Sequence, residues 1–253
     1  MSSSTQRVVL VTGAASGIGL ATARRFAADH LKVILLDRSE GVHAIAKEFE
    51  QQGFNALALV ADLGDVEQIQ RASETVKTMT GGCDILVNNA GIHPKRNGIT
   101  ISLEEMTLED WETVFRINLT APFLLCQKFI GGMKARQWGR IINVTSRAAR
   151  TYSDRAGTHY SASKAGLIGM TRKIAGDYAA FGVTANCVAP GQIETPLART
   201  SDPKVLANAA KTTPAGRLGT ADEVASSIQY LASDAAGFIT GAVIDVNGGG
   251  FIG

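Results

Sequence analysis

Three observations predict the fold class. Short apolar runs alternate with helical patterns along the whole chain, a glycine-rich turn joins the first run to the first helix, and no Pro-rich, Ser-rich or charged linker divides the 253 residues. Alternation at this spacing implies parallel strands joined by crossover helices. The expectation is an α/β fold in one domain spanning 1–253. It is a doubly wound parallel sheet of about seven strands with helices on both faces, large enough to bury a substantial core.

Residues 8–11 are apolar and too few for a helix, so they read as the first strand, and Thr12-Gly-Ala-Ala-Ser-Gly-Ile-Gly19 turns from it into a helical pattern over 20–28. Glycines there let backbone approach a diphosphate, whose charge is stabilised by the N–H groups and dipole of the helix start. The spacing G-x-x-x-G-x-G departs from the common dinucleotide fingerprint G-x-G-x-x-G, which leaves tight packing as the alternative reading. The next strand, 32–36, ends at Asp37, the distance from the glycines at which a carboxylate meets an adenosine ribose. A carboxylate there accepts from both ribose hydroxyls and repels a 2′-phosphate, favouring NAD over NADP. Arg38 beside it softens that repulsion, and Ser16 inside the loop offers no cation.

A helix over 41–52, a strand over 56–60 and a helix over 66–79 capped by Asp65 and Gln68 continue the pattern. Asp62, at a carboxyl edge, is either a contact for an adenine amino group or a plain turn residue. The strand 85–87 runs into Asn88-Asn-Ala-Gly91, a small polar loop suited to lie against a cofactor. A helix over 108–133, capped by Thr107 and Asp110, contains Asn118, either an exposed polar residue or an inward donor with a specific partner. The strand 140–144 ends at Thr145-Ser146, on the side of such a sheet where ligands bind. Ser146 lacks the G-x-S-x-G elbow of a hydrolase nucleophile, so it reads as a hydroxyl that holds a substrate oxygen. A helix through Tyr160 to about 181 precedes a strand at 183–188, and Pro190-Gly-Gln-Ile-Glu-Thr-Pro196 opens a long irregular segment, about 190–215, read as a lid. Thr220 and Glu223 form a capping box, and 243–246 is the last strand.

Tyr160 and Lys164 stand four apart on one helix face, so an ammonium can sit beside a phenol, stabilise the phenolate and lower a pKa that is ordinarily near ~10. The pair alone is common on solvated helices, and its meaning comes from its context. Charge narrows the partners: 25 basic against 23 acidic side chains leave a net +2, too little to argue for nucleic acid or an anionic membrane. Cys83, Cys126 and Cys187 lack redox or zinc spacing and read as packing residues in a reducing compartment, with no metal site. No signal-length or membrane-spanning apolar run occurs, so the expectation is a cytoplasmic protein acting on a small molecule.

In order, the Thr12–Gly19 loop, Asn88-Asn-Ala-Gly91, Asn118, Ser146, Tyr160-x-x-x-Lys164 and Pro190-Gly191 resemble the short-chain dehydrogenase/reductase family over essentially the whole chain. That family uses the G-x-x-x-G-x-G spacing. The resemblance implies a Rossmann-type NAD-binding domain and a catalytic set of Asn118, Ser146, Tyr160 and Lys164. In that set Tyr160 exchanges the proton, Lys164 lowers its pKa and binds the nicotinamide ribose, Ser146 holds the reacting oxygen, and Asn118 holds a water linking Lys164 to solvent. It further implies cofactor contacts at Gly13, Ser16, Gly17, Ile18, Gly19, Asp37, Arg38, Asp62, Leu63, Asn89, Ala90, Gly91, Tyr160, Lys164, Pro190, Gly191, Ile193 and Thr195. A homotetramer with its C-terminal region in an interface is implied as well.

One local feature lies outside the family pattern. His93, Lys95 and Arg96 follow the fourth strand, while Arg147, Arg150, Arg155 and His159 flank Ser146 and Tyr160. These loops leave the carboxyl edge of the sheet, so their cations could grip a carboxylate, phosphate or sulfonate on the substrate, the alternative being a set of solvated loop charges. Three functions stay open: an NAD-dependent alcohol, sugar, polyol or hydroxyacid dehydrogenase; an NADPH-dependent 3-oxoacyl-thioester (acyl-carrier-protein) reductase; and a non-catalytic nucleotide sensor, which the intact catalytic set argues against.

Overall fold

The structure is a computed structural model describing residues 6–196, 198 and 203–253, with residues 203–207 described as backbone only. Its elements in chain order are β1 (Val8–Thr12), α1 (Gly17–Ala28), β2 (Lys32–Asp37), α2 (Gly41–Gln51), β3 (Ala56–Val60), α3 (Val66–Thr80) and β4 (Ile85–Asn88). A short hairpin follows, β5 (Lys95–Arg96) with β6 (Ile99–Thr100), then α4 (Leu108–Phe115), α5 (Ala121–Ala135), β7 (Gly139–Val144), α6 (Thr158–Tyr178), β8 (Val183–Pro190) and β9 (Ile193–Glu194). The chain ends through α7 (Pro203–Thr212), β10 (Gly219–Thr220), α8 (Ala221–Ala232) and β11 (Val243–Val246).

Among the described residues the main sheet has seven strands in the order β11-β8-β7-β4-β1-β2-β3, each pair parallel. Parallel strands covered on both faces must be apolar throughout, and β1 is buried along its whole length. Alternate residues serve opposite layers: Val9 and Val11 pack with Phe26, Phe49 and Ile228 on one face. Val8 and Leu10 pack with Ile69, Leu125 and Ile141 on the other. The order departs from sequence between β1 and β4, and at that switch point the loops of the carboxyl edge diverge and leave a crevice. Among the described residues no helix is long and apolar enough to cross a membrane.

Three features depart from the sequence expectation. The helix expected over 108–133 is broken by a π turn, Arg116–Thr120, closed by the Ala121 N–H on the Arg116 carbonyl. The region read as an irregular lid holds α7, and β9 pairs in parallel with β10; positions 197 and 199–202 of that lid lie outside the described residues. The β5–β6 hairpin carries no sequence pattern of its own, its two-residue strands meeting at Asn97-Gly98 with both residues at positive φ.

Two of the three expected caps form as reciprocal capping boxes, Thr107 with Asp110 and Thr220 with Glu223. Asp65 accepts from the N–H groups of Glu67 and Gln68, whereas the Gln68 amide oxygen reaches back to the Asp62 N–H.

Candidate active site

The crevice is a cleft of about 610 Å³ that runs from the glycine loop and the end of β2 to Ser146, Tyr160 and Lys164. At its first end α1 points its N-terminus into the opening. Ser16 is the N-cap but its side chain bonds none of the free N–H groups, which leaves them available to an anion. Gly13 has φ +66°, and a Cβ there would stand 2.9 Å from Asn89 Nδ2 and 3.0 Å from Ala90 Cα, so backbone alone fits between β1 and the Asn89 loop. This uncapped helix start behind a turn of glycines and small residues fits a dinucleotide diphosphate. Thr195 passes over the same loop, 3.4 Å from where a Gly17 Cβ would stand.

Asp37 lies at the mouth, its two carboxylate oxygens accepting from the N–H groups of Ala15 and Ser39, each at 3.0 Å. The carboxylate is thereby fixed in place while keeping lone pairs for a ligand hydroxyl. Asp62 takes the turn role, accepting from the Gly64 N–H at 2.8 Å, and also lines the cleft with Arg38 and Leu63.

At the other end, β7 delivers Ser146 and α6 delivers Tyr160 and Lys164. Lys164 is buried, and its ammonium donates to the Val144 carbonyl at 2.8 Å while standing 5.9 Å from the centre of the Tyr160 ring. Burial lowers its pKa to about 8. Burial likewise pushes the Tyr160 phenol above its ordinary value, opposed by a hydrogen bond from the Ser146 hydroxyl. Lys164 is not among the causes of that shift, its ammonium being held on the Val144 carbonyl.

Asn118 resolves to the inward alternative. It is fully buried in the π turn, its Oδ1 accepting from the Ile92 N–H at 2.8 Å and its Nδ2 donating to the Ile92 carbonyl and to Ser163 Oγ. Ser163 Oγ in turn donates to the Tyr160 carbonyl at 2.8 Å, so Asn118 ties the loop after β4 to the helix that carries Tyr160. It stands behind the cleft wall, and a Cβ at Gly91 would come within 3.2 Å of its oxygen and 3.1 Å of Lys164 Nζ.

Of the cofactor positions expected from sequence, all line the cleft except Gly19. Gly19 is buried against the loop instead: a Cβ there would lie 2.1 Å from the Gly13 carbonyl oxygen, an impossible contact. Among the basic residues, His93, Lys95, Arg147 and Arg155 line the cleft. Arg96, Arg150 and His159 do not. Arg96 pairs with Asp110 at 2.6 Å and donates to the Glu105 carbonyl. Arg150 pairs with Asp245 on β11 at 2.9 Å and lies over the Phe251 ring. His159 is buried at the start of α6, its Nδ1 accepting from the Tyr160 N–H at 2.8 Å. Arg96 and Arg150 are drawn away by partners distant in sequence, and His159 by the backbone N–H of Tyr160 itself. Sequence reasoning also missed Ser39, Ile92, Ser153 and Gln192 on the walls, loop residues beside the motifs that carry no pattern of their own.

Comparison with known proteins agrees with this geometry. A family model described as enoyl-(acyl carrier protein) reductase matches residues 13–250. The chain is 40% identical over 245 residues to a (2S)-[(R)-hydroxy(phenyl)methyl]succinyl-CoA dehydrogenase subunit of Thauera aromatica, covering 96% of each. Among solved structures it is similar to a 3-oxoacyl-[acyl-carrier protein] reductase with bound NAD from Brucella melitensis, with a TM-score of 0.92 and 34% identity over 99% of this chain and 93% of that one. It is similar also to a putative gluconate 5-dehydrogenase with bound NADP from Beutenbergia cavernae, with a TM-score of 0.89 and 35% identity over 98% of each.

Proposed function

Because the chain belongs to the short-chain dehydrogenase/reductase family of oxidoreductases, which act on CH–OH and carbonyl groups, we propose that it interconverts a secondary alcohol and a ketone with NAD, Tyr160 exchanging the proton. The observation that carries this reading is the convergence of Ser146, Tyr160 and Lys164 at one end of a cleft whose other end is an uncapped helix start. A bound nicotinamide dinucleotide supplies the acceptor or donor of hydride. The chain's own residues do the rest. Ser146 and Tyr160 grip the reacting oxygen from two sides, and Tyr160 takes its proton in oxidation or returns it in reduction. Lys164, charged below about pH 8, holds the ribose and favours the phenolate. Asn118 keeps the loop and α6 in register.

Asp37 supports NAD, since a carboxylate fixed by the Ala15 and Ser39 N–H groups at the mouth of the cleft would repel a 2′-phosphate. On the substrate side Lys95, Arg147 and Arg155 remain as cations facing the cleft, which supports a hydroxyacid or sugar-acid substrate. The second reading, an NADPH-dependent 3-oxoacyl-thioester reductase, draws support for its acyl substrate, though not for its cofactor, from the likeness to the Brucella reductase, whose structure holds NAD.

The test is reduced-cofactor formation from NAD and NADP with matched neutral and anionic alcohols. Expected are faster turnover with NAD, preference for the anionic member, and a loss of at least about a hundredfold in kcat for Tyr160→Phe. Arg147→Ala should raise KM for the anion, and Arg150→Ala should not. A dominant NADPH-dependent reduction of oxoacyl thioesters would favour the second reading, and unchanged turnover in Tyr160→Phe would overturn the mechanism.

A further inference from the structure

His93 is the only imidazole among the described residues that lines the cleft, and its surroundings decide its chemistry. Its ring lies on the ring of Tyr160, centroids 4.6 Å apart and planes 33° from parallel. Its Nε2 accepts the Gly157 N–H at 3.2 Å. An imidazole nitrogen that accepts carries no proton, so the neutral ring must hold its hydrogen on Nδ1. The groups facing the ring keep it neutral: burial, then Lys95, then His159, whose ring stands edge-on at 6.4 Å, hold its pKa down to about 4. His159 cannot serve as its acceptor, because His159 Nδ1 already takes the Tyr160 N–H. Among the described residues no protein acceptor meets His93 Nδ1, so the ring offers the cleft one fixed N–H donor beside the phenol.

We propose that His93 is a specificity-determining residue whose Nδ1–H donates to a second oxygen of the substrate, carried on the carbon next to the reacting one, and so selects vicinal diols and α-hydroxy ketones over simple alcohols and ketones. The geometry follows from the stack. With the two ring centroids 4.6 Å apart, a substrate whose reacting oxygen meets the phenol brings its neighbouring carbon within the reach of the imidazole. That donor is anchored on both sides, by the Gly157 backbone at Nε2 and by the ring contact, so a substrate oxygen meets it without the ring having to reorient. A substrate without that oxygen leaves the donor with no partner once water is expelled, which is the penalty that discriminates. The proposal rests on the oxidoreductase reading and refines its substrate class.

The experiment is steady-state oxidation by the full-length enzyme of three matched pairs: isopropanol and propylene glycol, cyclohexanol and trans-vicinal cyclohexanediol, and β-hydroxybutyrate and its α,β-dihydroxy analogue. The wild type should favour the vicinal member by about tenfold or more in kcat/KM. His93→Phe keeps an aromatic ring on Tyr160 but has neither the donor nor the acceptor for Gly157, and should bring the ratio to near one by slowing the vicinal member more than the simple one. His93→Asn, which can both accept from Gly157 and donate, should recover part of the preference. An equal loss on both members would assign His93 a purely structural role and overturn the proposal, as would an unchanged ratio in His93→Phe. Turnover of the simple alcohols with no vicinal preference would sink the proposal while leaving the oxidoreductase reading standing. Turnover of none of the six would overturn both.

Discussion

At the scale of single residues, the candidate site buries a group that prefers to be charged. Lys164 has its pKa lowered to about 8 from an ordinary 10.5, so the protein carries a desolvated ammonium at neutral pH. The unfolded chain binds that proton more tightly than the folded one between about pH 8 and 10.5, and stability from this group therefore rises with pH across that window. Below it the cost is constant, and above it the cost is gone. Lys164→Met should abolish turnover yet narrow its stability advantage, or widen its deficit, relative to the wild type as pH climbs from 8 to 10.5. Denaturant midpoints at several pH values measure this, and a difference that does not vary with pH would show that the ammonium bears no desolvation cost. The buried thiols carry no comparable tension: burial pushes Cys83 and Cys126 up to about 12, and they serve as apolar filling.

At the scale of elements, the glycine loop and α6 are held by contacts of opposite kinds. The loop depends on absent side chains. Gly19 begins the buried face of α1 directly on the Gly13 carbonyl, so Gly19→Ala must push α1 away from β1. A cost of about 1–3 kcal/mol is expected from overpacking of this sort. Because the displaced loop is also the proposed diphosphate cradle, NAD affinity should fall with it. Calorimetric Tm and NAD titration check the pair of effects, and retention of both would show that the loop can relax. The start of α6 depends instead on side chains that fill the role of a cap. Its early N–H at Tyr160 and the preceding one at Gly157 are taken by the imidazoles of His159 and His93, where Ser or Asp would be the usual choice. No sequence pattern for helix starts includes a histidine brought from another loop, so this cap was not legible in the sequence. The π turn was equally hidden: its residues read as an unbroken helix, yet the one-residue shift turns Asn118 inward.

At the scale of the molecule, the sheet ends at β11, whose four residues are all partly exposed, and Phe238 and Ile252, before and after it in sequence, stand 103% and 88% exposed. Exposed apolar side chains that flank an edge strand in sequence are surface that assembly would cover, and the family resemblance carries the expectation of four chains. Light scattering should give four chain masses, and the double variant Phe238→Asp, Ile252→Asp should give fewer. A monomeric wild type would remove the expectation.

Much of this was legible in the sequence because it is local or periodic. Strand and helix alternation dictates parallel crossover connections, and all seven main-sheet strands fall where apolar runs predict them. The glycine loop, Asp37, Ser146 and the Tyr160–Lys164 spacing announce themselves for the same reason, since each chemistry requires a residue type at a set offset from an element end. Only the tertiary structure decided which loop cations face the cleft. Lys95 and Arg147 stay on its walls, whereas Arg96 and Arg150 turn to Asp110 and Asp245. It also decided that His93 lies on Tyr160. A long side chain goes where its charge is satisfied, and its partner is chosen by the packing of elements distant along the chain, which no local pattern encodes.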